Sequence, residues 1–533
     1  MTSSRLARLG AILAAFAILS GCEYGPFQEQ TRSLPGAVAV QVDDPFYLSD
    51  NPEANQWYLE TINAPEAWSQ YAAITADPVG GGAVQTIPVA VIDSGIDGEH
   101  EDLRGVLGRT GIDLVGGIAT PIPQGFPYDT VGITHGTHVS GLVAAEGGNG
   151  RGVAGVAYSG WGRPAVSVMP IRSLEGLNGL LSDVIRGVLY AAGAVPGQQS
   201  APARVINMSL GADVAGLDEA SILFFESAFE EAARRGLLMV AAAGNGRVPQ
   251  GADNNAAPQG RSDGIDWPAR FPAVIAVGSV DRAADPEDSQ RSYFSDYGLQ
   301  LELMAPGAAS SGPNADDNTG IVSTVPASSS SPSPSSGYGL QAGTSMAAPL
   351  VAGAAALVWS ANPHLSTDRL RRILQDTAVD LGEPGRDEEF GYGLLNVEEA
   401  LRVASSTPYG RYESSSVAGG STSPEDSVSA EELRDAKQNT EYRSDQPAEF
   451  IVYLSDEADT EQFLERVSRI APDAQSQILG FLPLGQAVTL SLRASDDAGG
   501  VSRALIAELR TDPEVLSVVQ NRFVEFGEPD AAN

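Results

Sequence analysis

Between Trp57 and Val403 short apolar runs alternate with longer stretches rich in Ala and other small residues. Pro88-Val89-Ala90-Val91-Ile92 is apolar and β-branched with no polar alternation, the pattern of a strand covered on both faces. Glu219 to Arg235 and Ala347 to Ser360 are long and Ala-rich enough to form helices. Strand and helix in alternation predict an α/β domain, a parallel sheet with helices on both faces. A different pattern follows residue 446. Strands are expected over 449–454, 475–481, 486–493 and 514–525, and helices over 458–470 and 498–511. That βαββαβ order predicts a small α+β, ferredoxin-like domain.

The stretches outside these two patterns read as connections. Residues 404–446 hold Ser414-Ser415-Ser416 and Gly419-Gly420-Ser421 without periodicity, a flexible linker. It separates a domain over 44–403 from one over 447–528. Ser328 to Ser336, a Ser/Pro run, reads as a surface insertion. At the N-terminus Arg5 and Arg8 precede an apolar run from Leu9 to Leu19, the length of a signal-peptide core and short for a bilayer span. The run ends in Leu19-Ser20-Gly21-Cys22, which resembles a bacterial lipobox. Residues 1–21 are thus expected to be a lipoprotein signal peptide, Cys22 the lipidated residue, and 22–43 a tether. Several acyl chains hold a protein on a membrane far more firmly than one. Glu23 is not the aspartate linked to inner-membrane retention, so an extracytoplasmic lipoprotein of the outer membrane or cell surface is expected.

Charge narrows the partners. The 533 residues carry 32 Lys and Arg against 68 Asp and Glu, a formal net charge of -36. Nucleic acid is excluded as an expected partner, because phosphate binding needs clustered cations. With Cys22 the only cysteine, no disulfide can form within the chain.

Three segments carry candidate chemistry. Val91-Ile92-Asp93-Ser94-Gly95 sets a carboxylate at the carboxyl end of a buried strand, where ligands gather in open α/β sheets. His135-Gly136-Thr137-His138 opens a small-residue helix, and Ser345, in Gly343-Thr344-Ser345-Met346-Ala347-Ala348-Pro349, opens another. A serine needs a base to act as nucleophile; histidine suits that role, and a buried carboxylate orients the histidine. Singly, each residue also reads as a cap or a structural side chain.

Together and in this order, the three segments resemble the signature motifs of the subtilisin-like serine peptidases over residues 57–403. The resemblance implies peptide-bond hydrolysis through an acyl-enzyme on Ser345, with His135 as general base and Asp93 orienting it; His138 is then structural. Met239-Val240-Ala241-Ala242-Ala243-Gly244-Asn245 resembles the family's oxyanion segment, which implies Asn245 as oxyanion donor. Ser209, Leu210 and Gly211, with Gly244, are implied to bind an extended peptide substrate. Asp266, in Asp266-Trp267-Pro268, is implied at the base of the pocket for the residue before the scissile bond, where an acid favours Lys or Arg. Asp102 and Asn149 are implied as calcium ligands, with Asp44 resembling a further one; no cofactor is implied for catalysis itself.

The family often carries an inhibitory propeptide ahead of its catalytic domain, and 22–43 is too short for one. The βαββαβ domain over 447–528 resembles that propeptide, which implies intramolecular inhibition from the C-terminal side. Two rival readings remain at this stage. One is an idle peptide-binding surface lipoprotein. The other is an α/β-hydrolase esterase, which would need a G-x-S-x-G elbow and the order Ser, acid, His.

Overall fold

The computed structural model describes residues 42–407 and 449–525 apart from short stretches between elements, together with Val40, Leu433 and Arg434. The signal segment, Cys22, most of the tether and of the 404–446 linker, and Ser328 to Ser336 lie outside the described residues.

Seven strands run parallel: β1 (Ile87–Asp93), β2 (Gly111–Asp113), β4 (Val166–Arg172), β6 (Val205–Met208), β7 (Leu238–Ala242), β8 (Val274–Asp281) and β9 (Leu301–Ala308). An antiparallel edge strand, β3 (Thr120–Ile122), completes the order β3-β2-β4-β1-β6-β7-β8-β9. Helices α1 (Trp57–Thr61), α2 (Ala64–Ala76), α3 (His135–Ala144), α4 (Leu181–Ala191), α5 (Glu219–Arg234), α6 (Thr344–Ala361), α7 (Thr367–Asp376) and α8 (Val397–Ser406) accompany the sheet. The α/β expectation holds. β1 and β7 are apolar without alternation because neither face meets water.

Helix α6 is buried along its whole length, as its Ala, Val, Leu and Gly composition requires. It is the one described helix long and apolar enough to cross a membrane, and here it packs against the central strands and α3. Pro349 sits inside it and offers no N–H to the carbonyl of Ser345 one turn back. The hairpin of β10 (Ile321–Thr324) and β11 (Tyr338–Gln341) lies against α3.

The C-terminal module has β12 (Glu449–Ser455), β13 (Gln475–Leu482), β14 (Gly485–Ser491) and β15 (Val515–Gln520) in the antiparallel order β13-β14-β12-β15, with helices α9 (Thr460–Ile470) and α10 (Ala498–Thr511). The strand alternation decides what each face does. Phe450, Val452 and Leu454 pack with Phe463, Val467, Leu505 and Leu509 of its own helices. Ile451 and Tyr453, pointing the other way, join the core of the larger domain. There the sheet lies on α4 and α5, and the ring of Tyr453 meets Phe224 edge-on at 6.0 Å.

One expected strand divides. Residues 514–525 form β15 and then a separate β16 (Phe523–Glu525). β16 leaves the module and pairs antiparallel with β5 (Asn178–Leu180) of the larger domain, Phe523 opposite Leu180 and Glu525 opposite Asn178.

Candidate active site

Asp93 ends β1, fully buried, and His135 begins α3. His135 Nδ1 lies 2.8 Å from Asp93 Oδ1. A carboxylate only accepts, so the proton sits on Nδ1 and Nε2 presents its lone pair. Asp93 Oδ1 also accepts the Ser94 N–H at 2.7 Å, while its Oδ2 has no hydrogen-bond partner among the described residues. The close seat of α3 against the end of β1 requires glycine at 136: a Cβ there would stand 2.1 Å from the carbonyl oxygen of Gly95.

Ser345 is the second residue of α6, and α6 packs beside α3. Gln341 Nε2 donates to Thr134 Oγ1 at 2.7 Å, tying the approach to α6 to the residue before His135. The Ser345 hydroxyl donates to the carbonyl of Ser209 at 3.1 Å. The Ser209 hydroxyl in turn donates to the carbonyl of Ser345 at 2.7 Å, supplying the donor that Pro349 lacks.

Asn245 follows β7. Its Oδ1 accepts the N–H of Thr344 at 2.8 Å and the Thr344 hydroxyl at 2.9 Å. With the oxygen held, the amide nitrogen faces the chain just before Ser345; a Cβ at Gly343 would lie 3.1 Å from it. Gly244 N–H donates to Thr344 Oγ1 at 3.2 Å. Leu210 is buried, and Gly211 and Gly244 both border the side chain of Asp266. His138 Nε2 lies 2.9 Å from the carbonyl of Ile321, and burial pushes its pKa down to about 3. It stays neutral, held between α3 and β10.

Two groups escaped the sequence reading. Asp129, six residues before His135, accepts from Ser94 Oγ at 2.9 Å, from the N–H of Thr137 at 2.8 Å, and from the Thr137 hydroxyl. Burial, with the charge of Asp93 adding, pushes its pKa up to about 6 against the lowering effect of those bonds. Arg261 bonds Asp266 Oδ1 at 2.7 Å and Asp296 Oδ2 at 2.8 Å. The carboxylate expected to favour a cationic substrate side chain thus already holds a guanidinium. Neither partnership has a local motif; the links of Asp129 to Ser94 and of Arg261 to Asp296 join segments that only the fold brings together.

Asp44, Asp102 and Asn149 do meet. Asp44 accepts the N–H groups of Gly148 and Asn149, and Asp102 accepts from Asn149 Nδ2, the Val153 N–H and the Tyr338 hydroxyl. Burial raises both carboxyl pKa values, and the charge of Asp102 raises that of Asp44 further. Among the described residues neither carboxylate forms an ion pair. Asn149 turns its amide nitrogen to Asp102 and its Oδ1 to the Arg151 N–H, so the oxygens a hard cation would take here are those of the two carboxylates; among the described residues no group of three or more His, Cys, Asp or Glu side chains gathers to hold a metal.

The sequence model described as the subtilase family matches residues 85–393. Subtilisin DY of Bacillus licheniformis is 36% identical over 317 residues, covering 59% of this chain and 91% of that protein. The halolysin-like extracellular serine protease Nep of Natrialba magadii is 33% identical over 383 residues, 70% of this chain and 58% of its own length. A solved protease of Pseudoalteromonas arctica PAMC 21717 superposes with a TM-score of 0.51 at 31% identity, covering 68% of this chain and 99% of that one.

Proposed function

The chain belongs to the subtilase family and is a serine endopeptidase, and from that premise we propose that Ser345 is the nucleophile, His135 its general base, Asp93 the group that orients the base, and Asn245 with the Ser345 N–H the oxyanion hole. The observation that carries the assignment is the Asp93–His135 bond, which holds the imidazole with Nε2 unprotonated beside the helix that Ser345 opens.

The chemistry follows from the geometry. The Ser345 hydroxyl turns from the Ser209 carbonyl toward His135 Nε2 and gives up its proton there as Oγ bonds the substrate carbonyl carbon. Asp93 stabilises the imidazolium. The charge on the carbonyl oxygen is met by Asn245 Nδ2, whose direction Thr344 sets, and by the N–H at the start of α6. Collapse of the tetrahedral adduct breaks the C–N bond, and His135 returns the proton to the leaving amine. Water then repeats the sequence on the acyl-enzyme. The test compares the chain from Glu23 onward with Ser345→Ala on an unfolded protein. Equal inertness of the two in folded preparations sinks the assignment.

The C-terminal module acts in this reading as an intramolecular inhibitor. Its support is the β16–β5 pairing, in which an extended segment adds to a strand shortly after Ser173 and Leu174, whose N–H groups donate to the Asp93 carbonyl at 2.9 and 3.3 Å. A substrate laid along β5 and Ser209 to Gly211 competes for the same edge. Activity that rises as the 404–446 linker is cut supports inhibition; full activity of the uncut chain refutes it.

The reading is completed by secretion and lipid anchoring through Cys22, and by calcium at Asp44, Asp102 and Asn149. The ion supplies charge compensation to two buried carboxylates and no step of the reaction. Calcium is expected to raise the melting temperature of the wild type and not of Asp102→Asn; an unchanged wild type removes the metal from the reading.

A further inference from the structure

The ends of β6 and β7 flank Ser345 and close on one side chain. Ser209 exchanges hydrogen bonds with Ser345, and Gly244 bonds Thr344. Asp266 N–H donates to the carbonyl of Ala243 at 2.8 Å, and Ala212 and Trp267 bond each other in both directions at 2.8 and 2.9 Å. Asp266 is thereby stitched across both strand ends. A Cβ on Gly211 would stand 3.0 Å from its Cβ, and a Cβ on Gly244 would stand 2.8 Å from its Oδ2 and 2.6 Å from Asp296 Oδ2. Both glycines thus pack against an acidic end close to the nucleophile's own neighbours, and the peptidase reading makes Asp266 the floor of the pocket for the substrate side chain that precedes the scissile bond.

That acidic end is already answered. Arg261 Nη2 bonds Asp266 Oδ1 at 2.7 Å, Asp296 Oδ2 at 2.8 Å and the Gly264 carbonyl at 2.7 Å. Its backbone N–H and Nε reach Asp296 Oδ1 at 2.6 and 3.3 Å. Asp296 is fully buried, and the side chain of Asp266 keeps only 13% of its exposure. Charge-assisted bonds of this kind, removed from water, are strong, and breaking one leaves an unpaired buried charge. A substrate lysine entering that pocket must displace Arg261 or sit beside a second cation.

We infer that Arg261 is a specificity-determining residue: it occupies the carboxylate of Asp266, so that the pocket takes neutral side chains before the scissile bond and discriminates against Lys and Arg. This rests on the peptidase reading above.

The test uses two peptides that differ only in Phe or Lys before the scissile bond, competing in one tube. Their cleavage ratio does not depend on how much of the enzyme is inhibited. The wild type is expected to favour Phe. Asp266→Asn should leave the Lys-to-Phe ratio within about threefold, because the carboxylate it removes already serves Arg261. Arg261→Gln should raise the ratio about tenfold or more, the size of a charged hydrogen bond gained, and Arg261→Gln with Asp266→Asn should abolish the gain. A wild type that prefers Lys, or a tenfold loss of Lys cleavage in Asp266→Asn, overturns the inference; the second decides the matter even if Arg261→Gln does not fold. Absence of cleavage of any peptide by the wild type sinks the peptidase reading itself, and this inference with it.

Discussion

Ser209 and Ser345 exchange hydrogen bonds in both directions: each hydroxyl donates to the other residue's carbonyl, at 2.7 and 3.1 Å. Pro349 makes the first of these necessary, since the Ser345 carbonyl has no helical N–H to meet. Ser209→Ala should therefore strand a buried carbonyl and cost about 1–3 kcal/mol in denaturant unfolding. Pro349→Ala restores a helical donor. In a double-mutant cycle the pair should be less destabilised than the sum of the single changes. Strict additivity would show that Ser209 does not stand in for the missing donor.

Thr344 should act on the reaction through Asn245 rather than by touching substrate. Thr344→Val removes the hydroxyl bond to Asn245 Oδ1 and leaves the amide held by the Thr344 N–H alone. The expected effect is a fall in kcat with KM nearly unchanged, smaller than the roughly 10²–10³ loss on removing such an oxyanion donor outright. Thr344→Ser should recover most of the rate. A rise in KM alone would contradict the role.

Asp129 should shape stability against pH. Its folded pKa of about 6 lies above the ordinary value of 3.8. The folded state thus holds the proton more tightly than the unfolded chain. Its contribution favours folding at low pH and is lost as pH rises from about 4 through about 6, by roughly 2–3 kcal/mol at most. Asp129→Asn should flatten that part of the unfolding free energy measured across the range. An unaltered slope would mean that Asp129 does not titrate there.

Tyr453 should hold the C-terminal module in place. It is fully buried against Phe224 of α5. Tyr453→Ser removes about 3 kcal/mol or more of packing from the contact. The uncut chain should then hydrolyse a small peptide faster than the uncut wild type. Val524→Pro, which takes an N–H from the strand opposite Gly179, should act in the same direction without touching that packing. Unchanged rates in both variants would separate docking from inhibition.

Element type and catalytic candidates were legible in the sequence because both are local signals. The apolar run at Pro88 to Ile92 identifies a doubly covered strand whatever its neighbours, and strand β1 spans Ile87–Asp93. The βαββαβ periods of the module recur within a residue or two in β12 through α10. The flanks of Asp93, His135, Ser345 and Asn245 each describe the turn that presents the side chain, so short motifs suffice. What the chain alone left open is what those motifs meet in space. Residues 514–525 carry one continuous strand pattern, yet β16 parts from β15 because an unpaired edge at Asn178–Leu180 stands within reach. Asp266 is implied in the sequence only as an acid at a pocket base, without the Arg261 and Asp296 that the fold sets beside it, and no motif points to Asp129, which α3 closes over. Strand and helix patterns are properties of a few consecutive residues; burial, edge pairing such as β16 with β5, and charge partners such as Arg261 with Asp296 depend on segments far apart along the chain, and only the packed tertiary structure decides them.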